Sequence, residues 1–188
     1  MIKIIGGVNK GLKIDVPVKG VRPTSAKKRE TIFSILDSYE IKNNKNIYKK
    51  KNVLDLFSGS GAFGLEAISR GATFSFFYEN NYETVKYLKK NCIKVCNKKN
   101  FLINQDNIIN NNFKKIKKKI SLVFIDPPYK MNPFENILKK LFESKILLKN
   151  SIIIIECSSN LELKIPSFLS FIKKKEYRNT NIFFLTLI

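Results

Sequence analysis

Ten consecutive residues, Asp55-Leu56-Phe57-Ser58-Gly59-Ser60-Gly61-Ala62-Phe63-Gly64, have types and spacing suited to holding a nucleoside. Glycines in such a run let the backbone turn sharply, approach a ligand closely and bring a following helix near the preceding strand. Glu79 stands 20 residues beyond Gly59, where a carboxylate at the end of a second strand can take both hydroxyls of a ribose. Asp106, at the end of a third strand, can accept a hydrogen bond from an adenine amino group. Each acid has a plain alternative, since Asp and Glu often close strands simply to stay solvated. Together with Asp55 they form three acids in register. Gly59-x-Gly61-x-x-Gly64 suits NAD as well as S-adenosylmethionine, so the loop by itself leaves the cofactor open.

A second reactive set is Asp126-Pro127-Pro128-Tyr129, placed directly after a fourth apolar run. It resembles the Asp/Asn-Pro-Pro-Tyr/Phe motif of amino-directed methyltransferases. An exocyclic amino group is a poor nucleophile because its lone pair is delocalised into the base. Two acceptors, the Asp126 side chain and the Pro127 carbonyl, can bind both amino hydrogens and favour tetrahedral geometry as charge develops. Tyr129 is expected to stack on the base, which must be unpaired or leave its stack to fit. Such a transfer is an in-line displacement that mainly needs alignment, so the absence of histidine is no obstacle. The plain alternative for Pro127-Pro128 is a rigid turn that ends a strand.

The elements that must position these groups are visible in the hydrophobic pattern. From residue 53 onward, short apolar runs alternate with longer amphipathic ones, the pattern of a parallel sheet covered by helices. Strands are expected at 53–57, 74–79, 101–106, 122–126 and 152–157, and helices at about 62–70, 81–96 and 133–147. Residues 108–119, rich in Asn and Lys, read as a solvated helix or loop. Residues 170–177 and 181–188 read as an antiparallel hairpin at the sheet edge. The first fifty residues form an extension: a small hairpin within 3–14, then a helix over about 25–39. Thr24 or Ser25 caps that helix, and Ile32, Phe33, Leu36 and Tyr39 supply its apolar face. Residues 43–51 read as a linker without core content. The whole, 1–188, is expected to be one domain.

Composition narrows the partners. A net charge of +20, from 35 basic against 15 acidic residues, favours polyanions and salt-dependent binding. Only four of the basic residues are Arg, and the chain is rich in Lys, Asn and Ile, as drift in an AT-rich genome also produces. Charge therefore points toward nucleic acid without identifying one. Three cysteines, no histidine and no Cys-x-x-Cys argue against disulfides and against a metal site. Cys92 and Cys96 share a helical face and read as core residues. No apolar run approaches the roughly 20 residues of a membrane span, so a cytoplasmic monomer without membrane contact is expected.

Four stretches narrow the resemblance to a family: Ile4-Ile5-Gly6-Gly7, Gly11-Leu12-Lys13-Ile14, Arg22-Pro23-Thr24 and Arg29-Glu30-Thr31-Ile32-Phe33, ahead of Asp55-x-Phe57-x-Gly59-Ser60-Gly61. Over nearly its whole length the chain resembles bacterial 16S rRNA (guanine-N2)-methyltransferases of the RsmD type. The resemblance implies an α/β, Rossmann-like class I methyltransferase: a seven-stranded, mostly parallel sheet, helices on both faces, and one antiparallel strand in a C-terminal hairpin. It implies S-adenosylmethionine as cofactor, held by Asp55, Ser58, Gly59, Gly61, Glu79, Asn80, Asp106 and Asn107. The substrate it implies is guanine N2 in 16S rRNA or the assembling small ribosomal subunit, with Asp126, Pro127, Pro128 and Tyr129 catalytic. Arg22, Thr24 and Arg29 are placed by it near the active site or RNA path; the alternative is a capped helix with exposed charges. Glu156, after the fifth strand, is expected either to orient the catalytic loop, to contact the guanine N1 and N2 hydrogens, or to be a solvated strand end. The family usually has Asp where Asn80 stands. Competing readings are an N6-adenine or N4-cytosine methyltransferase, an NAD-dependent oxidoreductase, and a basic RNA-binding protein without catalysis.

Overall fold

The computed structural model describes residues 1–17, 25–97, 99–128 and 131–188. A short antiparallel pair, β1 (Ile2–Lys3) with β2 (Lys13–Ile14), precedes the main body. Helix α1 (Ala26–Asn43) begins where the Ser25 hydroxyl accepts the Lys28 N–H at 3.2 Å, and it ends at Asn44, whose left-handed backbone (φ 49°) suits a helix stop.

Then come β3 (Asn52–Leu56), α2 (Ala62–Ser69), β4 (Phe74–Tyr78), α3 (Tyr82–Val95), β5 (Phe101–Asn104), a 3-10 turn at Ile108–Asn110, β6 (Ile120–Ile125), α4 (Phe134–Glu143), β7 (Leu147–Ser158), β8 (Leu169–Glu176) and β9 (Thr180–Leu187). The sheet order is β5-β4-β3-β6-β7-β9-β8. Strands β3 to β7 pair in parallel, while β9 runs antiparallel to both β7 and β8. This is the expected seven-stranded, mostly parallel sheet with an antiparallel hairpin strand. The chain starts the sheet at its centre and winds outward in both directions, so β3 and β6 flank the switch point, where crevices open at the carboxyl ends of such strands.

Alternating strand residues feed two cores. Val53, Leu122, Phe124, Ile152 and Ile154 pack with α1, α2 and α3 on one face. Leu54, Val123, Ile125, Ile153 and Ile155 pack with α4 and the 3-10 turn on the other. Every residue of α2 is buried. Gly64 allows this, because a Cβ there would lie 2.4 Å from Phe77 Cε1 and 2.5 Å from Ser75 Oγ.

The small hairpin is clamped to α2 by one carboxylate. Glu66, fully buried, accepts the Ile5 N–H at 2.8 Å, the Gly6 N–H at 2.7 Å and the Arg70 Nε–H at 2.7 Å.

Three local expectations need correction. The linker 43–51 does have core content: Ile47 and Tyr48 are buried, drawn in because the Glu40 carboxylate accepts both their N–H groups, at 2.5 and 3.3 Å. The Asn and Lys tract also contributes, since Ile108, Phe113 and Ile116 enter the second core between polar neighbours that face water. The helix expected to reach 147 stops at Glu143, because left-handed Lys145 (φ 55°) turns the chain so that Ile146 is buried and Leu147 opens β7.

Candidate active site

At the carboxyl end of β3 the chain leaves the sheet through Phe57, held at φ 58°, and turns again at Gly59 (φ 53°) and Gly61 (φ 84°) before α2 begins. A non-glycine residue in the left-handed region is uncommon and costs energy that the surroundings must offset. Here Ser58 anchors the turn: its N–H and hydroxyl both reach the Tyr78 carbonyl, at 2.9 and 3.2 Å, and its own carbonyl accepts the Gly61 N–H at 2.7 Å.

Asp55 braces the loop from inside. Its carboxylate is 1% exposed and accepts the Gly64 N–H at 2.9 Å, joining strand to helix. Burial raises its pKa from 3.8 to about 7; the neighbouring negative charge of Glu79 adds to that rise and the Gly64 N–H opposes it.

Glu79, just past β4, accepts the Gly59 N–H at 3.0 Å on one oxygen and the Asn81 N–H at 2.8 Å on the other. Each carboxylate oxygen has a second lone pair, so Glu79 keeps acceptor capacity for hydroxyl donors. Asn80 beside it is exposed. Asp106, half-exposed, lies two residues past β5 rather than within it, and accepts from Asn111 Nδ2 at 3.1 Å and Lys115 Nζ at 3.4 Å. The Asn107 side chain starts the 3-10 turn by accepting the Ile109 N–H at 3.0 Å.

The Asp126 loop starts beside the glycine loop. The Asp126 N–H points to the Leu56 carbonyl at 3.5 Å, Pro127 is buried, Pro128 is exposed, and the Pro128 carbonyl accepts the Met131 N–H at 2.8 Å. Asp55, Ser58, Gly59, Gly61, Glu79, Asp106 and Asp126 thus share the carboxyl edge of β3, β4, β5 and β6. Such an arrangement can hold a nucleoside across the strand ends and bring an amino group up to an acceptor pair.

Two further placements differ from expectation. Arg29 is 1% exposed, and its guanidinium donates to the Lys3 carbonyl at 2.8 Å near the Glu66 charge; burial lowers its pKa. It joins helix to hairpin and presents no exposed charge to an RNA. Glu156 is not a solvated strand end either, being 2% exposed with Lys28 Nζ on its Oε1. Arg22, Thr24 and Tyr129 lie outside the described residues.

One positioning residue had escaped the sequence reading. Asn91 of α3, fully buried, donates to the Ser60 carbonyl at 2.9 Å and exchanges two hydrogen bonds with the Asp15 backbone, so it ties the loop to the N-terminal extension. Its only sequence signal is an Asn on the apolar face of a helix. Among the described residues no group of His, Cys, Asp or Glu could hold a metal ion, and no helix is long and apolar enough to cross a membrane.

The chain is similar to known proteins along nearly its whole length. Residues 2–186 match the family model described as Conserved hypothetical protein 95. A ribosomal RNA small subunit methyltransferase D from Buchnera aphidicola is 38% identical over 93% of this chain and 87% of the relative. Its counterpart in Haemophilus influenzae is 30% identical over 93% and 88%. Among solved structures, an Escherichia coli protein named as a candidate methyltransferase, yhhF, superposes with a TM-score of 0.83 at 27% identity, covering 99% of this chain and 97% of that one. With a family model spanning almost every residue and a fold shared end to end, the chain belongs to the family of ribosomal RNA small subunit methyltransferase D.

Proposed function

We propose that this chain transfers the methyl group of S-adenosylmethionine to the exocyclic N2 of a guanine in small-subunit ribosomal RNA. The observation that carries the reading is the position of Asp126-Pro127-Pro128: it continues β6 directly beside the glycine loop, with the Asp126 N–H on the Leu56 carbonyl. The names of the relatives supply the substrate class, small-subunit ribosomal RNA.

The residues present fit the cofactor. Glu79 has spare acceptor capacity for ribose hydroxyls, and Asp106 offers a carboxylate for an adenine amino group. When bound, S-adenosylmethionine supplies an electrophilic methyl carbon on a positively charged sulfur. The protein's part is alignment and polarisation. Asp126 and the Pro127 carbonyl accept the two N2 hydrogens and turn the nitrogen lone pair out of conjugation with the ring. As the N–C bond formed and the methyl–sulfur bond broke, its electron pair staying on sulfur, these acceptors would stabilise the charge on nitrogen, and the proton lost from N2 would leave along the hydrogen bond to Asp126.

Purified protein incubated with labelled S-adenosylmethionine and unmodified small-subunit rRNA, free and protein-assembled, should yield N2-methylguanosine after digestion to nucleosides. Label in adenine or cytosine would overturn the target base. Thermal stabilisation by NAD but not by S-adenosylmethionine would overturn the cofactor.

A further inference from the structure

Near the carboxyl end of β7 a buried acceptor finds no donor among the described residues. Ile155 pairs with Ile125, so Glu156 lies across from Asp126, where β6 has ended and β7 runs on to Ser158. Leu122 and Phe124 of β6 and Ile152 and Ile154 of β7 face the α1 side of the sheet. By the same alternation Asp126 and Glu156 rise on that side together, on backbones about 4.8 Å apart.

Glu156 is 2% exposed. Its Oε1 accepts from Lys28 Nζ, which also donates to Thr180 Oγ1 at 2.6 Å and sits 5.2 Å from the centre of the Tyr177 ring. Its Oε2 is closed to solvent and has no hydrogen-bond partner among the described residues. A buried carboxylate oxygen left without a donor is costly, more so than a neutral acceptor. Lys28 supplies the counter-charge and fixes which oxygen stays vacant.

Resting on the guanine-N2 reading above, we propose that Glu156 Oε2 accepts the N1–H of the target guanine and so selects the base, with Lys28 as the positioning residue that aims it. Guanine presents N1–H and the N2 amino group side by side on one edge. A carboxylate beside the Asp126 loop matches that pair of donors: N2 goes to Asp126 and Pro127, and N1–H goes to Glu156. Adenine N1 and cytosine N3 carry lone pairs at the matching position, which would face the lone pair of Oε2. Glu156 therefore rejects the two other amino-bearing bases by leaving two acceptors opposed.

The test uses the rRNA substrate with guanosine or 2-aminopurine ribonucleoside at the methylated position. 2-Aminopurine keeps the amino group to be methylated and lacks the N1 hydrogen. The wild type should prefer guanosine in kcat/KM by at least about 100-fold, as expected of a site built around a donor that its competitor lacks. In Glu156→Gln, whose amide can turn an N–H toward a bare N1, that ratio should fall by at least about 10-fold, with S-adenosylmethionine affinity unchanged. Equal kcat/KM of the wild type on both substrates would overturn the proposal, whether or not the variant folds. A Glu156→Gln enzyme slowed on both by the same factor would also overturn it, since that is the mark of a structural residue. No transfer to guanosine by the wild type would overturn the guanine-N2 reading itself, a result distinguishable from the other two.

Discussion

Replacing Glu66 with glutamine should destabilise the protein by about 3–5 kcal/mol, because three donors that now meet a fully buried carboxylate are left with one acceptor oxygen. In the native structure Oε1 takes the Gly6 N–H and the Arg70 Nε–H, both at 2.7 Å, and Oε2 takes the Ile5 N–H at 2.8 Å. Glutamine keeps one oxygen. Its amide nitrogen must then face one of these donors, opposing hydrogen to hydrogen at a side chain that is itself fully buried. Loss of a hydrogen bond to a charged group contributes about 1.5–3 kcal/mol, and the stranded donor a further 1–3 kcal/mol or so. For a chain of this length each kcal/mol lowers Tm by roughly 2–4 °C, so the midpoint should fall by roughly 6–20 °C. Thermal unfolding followed by circular dichroism measures this directly. Hydrogen exchange at Ile5 and Gly6 should quicken at the same time, because the hairpin loses its clamp before the sheet melts. A variant within about 1 kcal/mol of wild type, with both amides still protected, would refute the reasoning.

Asp55 makes stability depend on pH in a direction opposite to that of most carboxylates. Its pKa rises from 3.8 to about 7 in the folded state, so between those values the native chain holds a proton that the unfolded chain has released. Its contribution is full below about pH 4 and is lost as pH rises through about 7, a swing on the order of 4 kcal/mol that Asp55→Asn should remove. Urea midpoints of the two proteins running parallel from pH 4 to 8 would contradict this. Asp126→Ala should abolish turnover with cofactor affinity nearly unchanged, whereas Glu79→Ala should weaken cofactor binding; calorimetry showing equal losses would merge the two roles. Gly64→Ala should destabilise by about 1–3 kcal/mol, since its methyl would press on Phe77 and Ser75, and an unchanged denaturation midpoint would show that α2 can shift away.

The parts of the fold legible in the sequence were those written in local periodicity. The strands β3, β4, β6 and β7 are nearly continuous apolar runs, and the glycine loop and acids fall at their ends by spacing alone. What was not legible depends on distant partners. Arg29 reads as surface charge until the Lys3 carbonyl and the Glu66 charge close around it. Tyr48 reads as linker until Glu40 binds its N–H and the Phe33 ring meets it edge-on at 5.4 Å. Phe113 and Ile116 are isolated among Asn and Lys, with no period to mark the face they turn inward. Lys28 and Glu156 stand 128 residues apart, and nothing short of the assembled sheet relates them.

The order of the last three strands constrains how the chain can be made. β9 lies between β7 and β8 yet is synthesised after both. Until residues 180–187 insert, β7 has one bare flank, with Ile152 to Ile155 along it, and β8 has no place in the sheet at all. A chain in which β9 has not yet inserted exposes a strand edge of the kind that captures other chains. Lys173, Lys174 and Lys175 on the waiting β8 carry like charges that oppose such capture. Insertion of β9 completes both neighbours in a single event, and with them the Thr180 hydroxyl that receives Lys28.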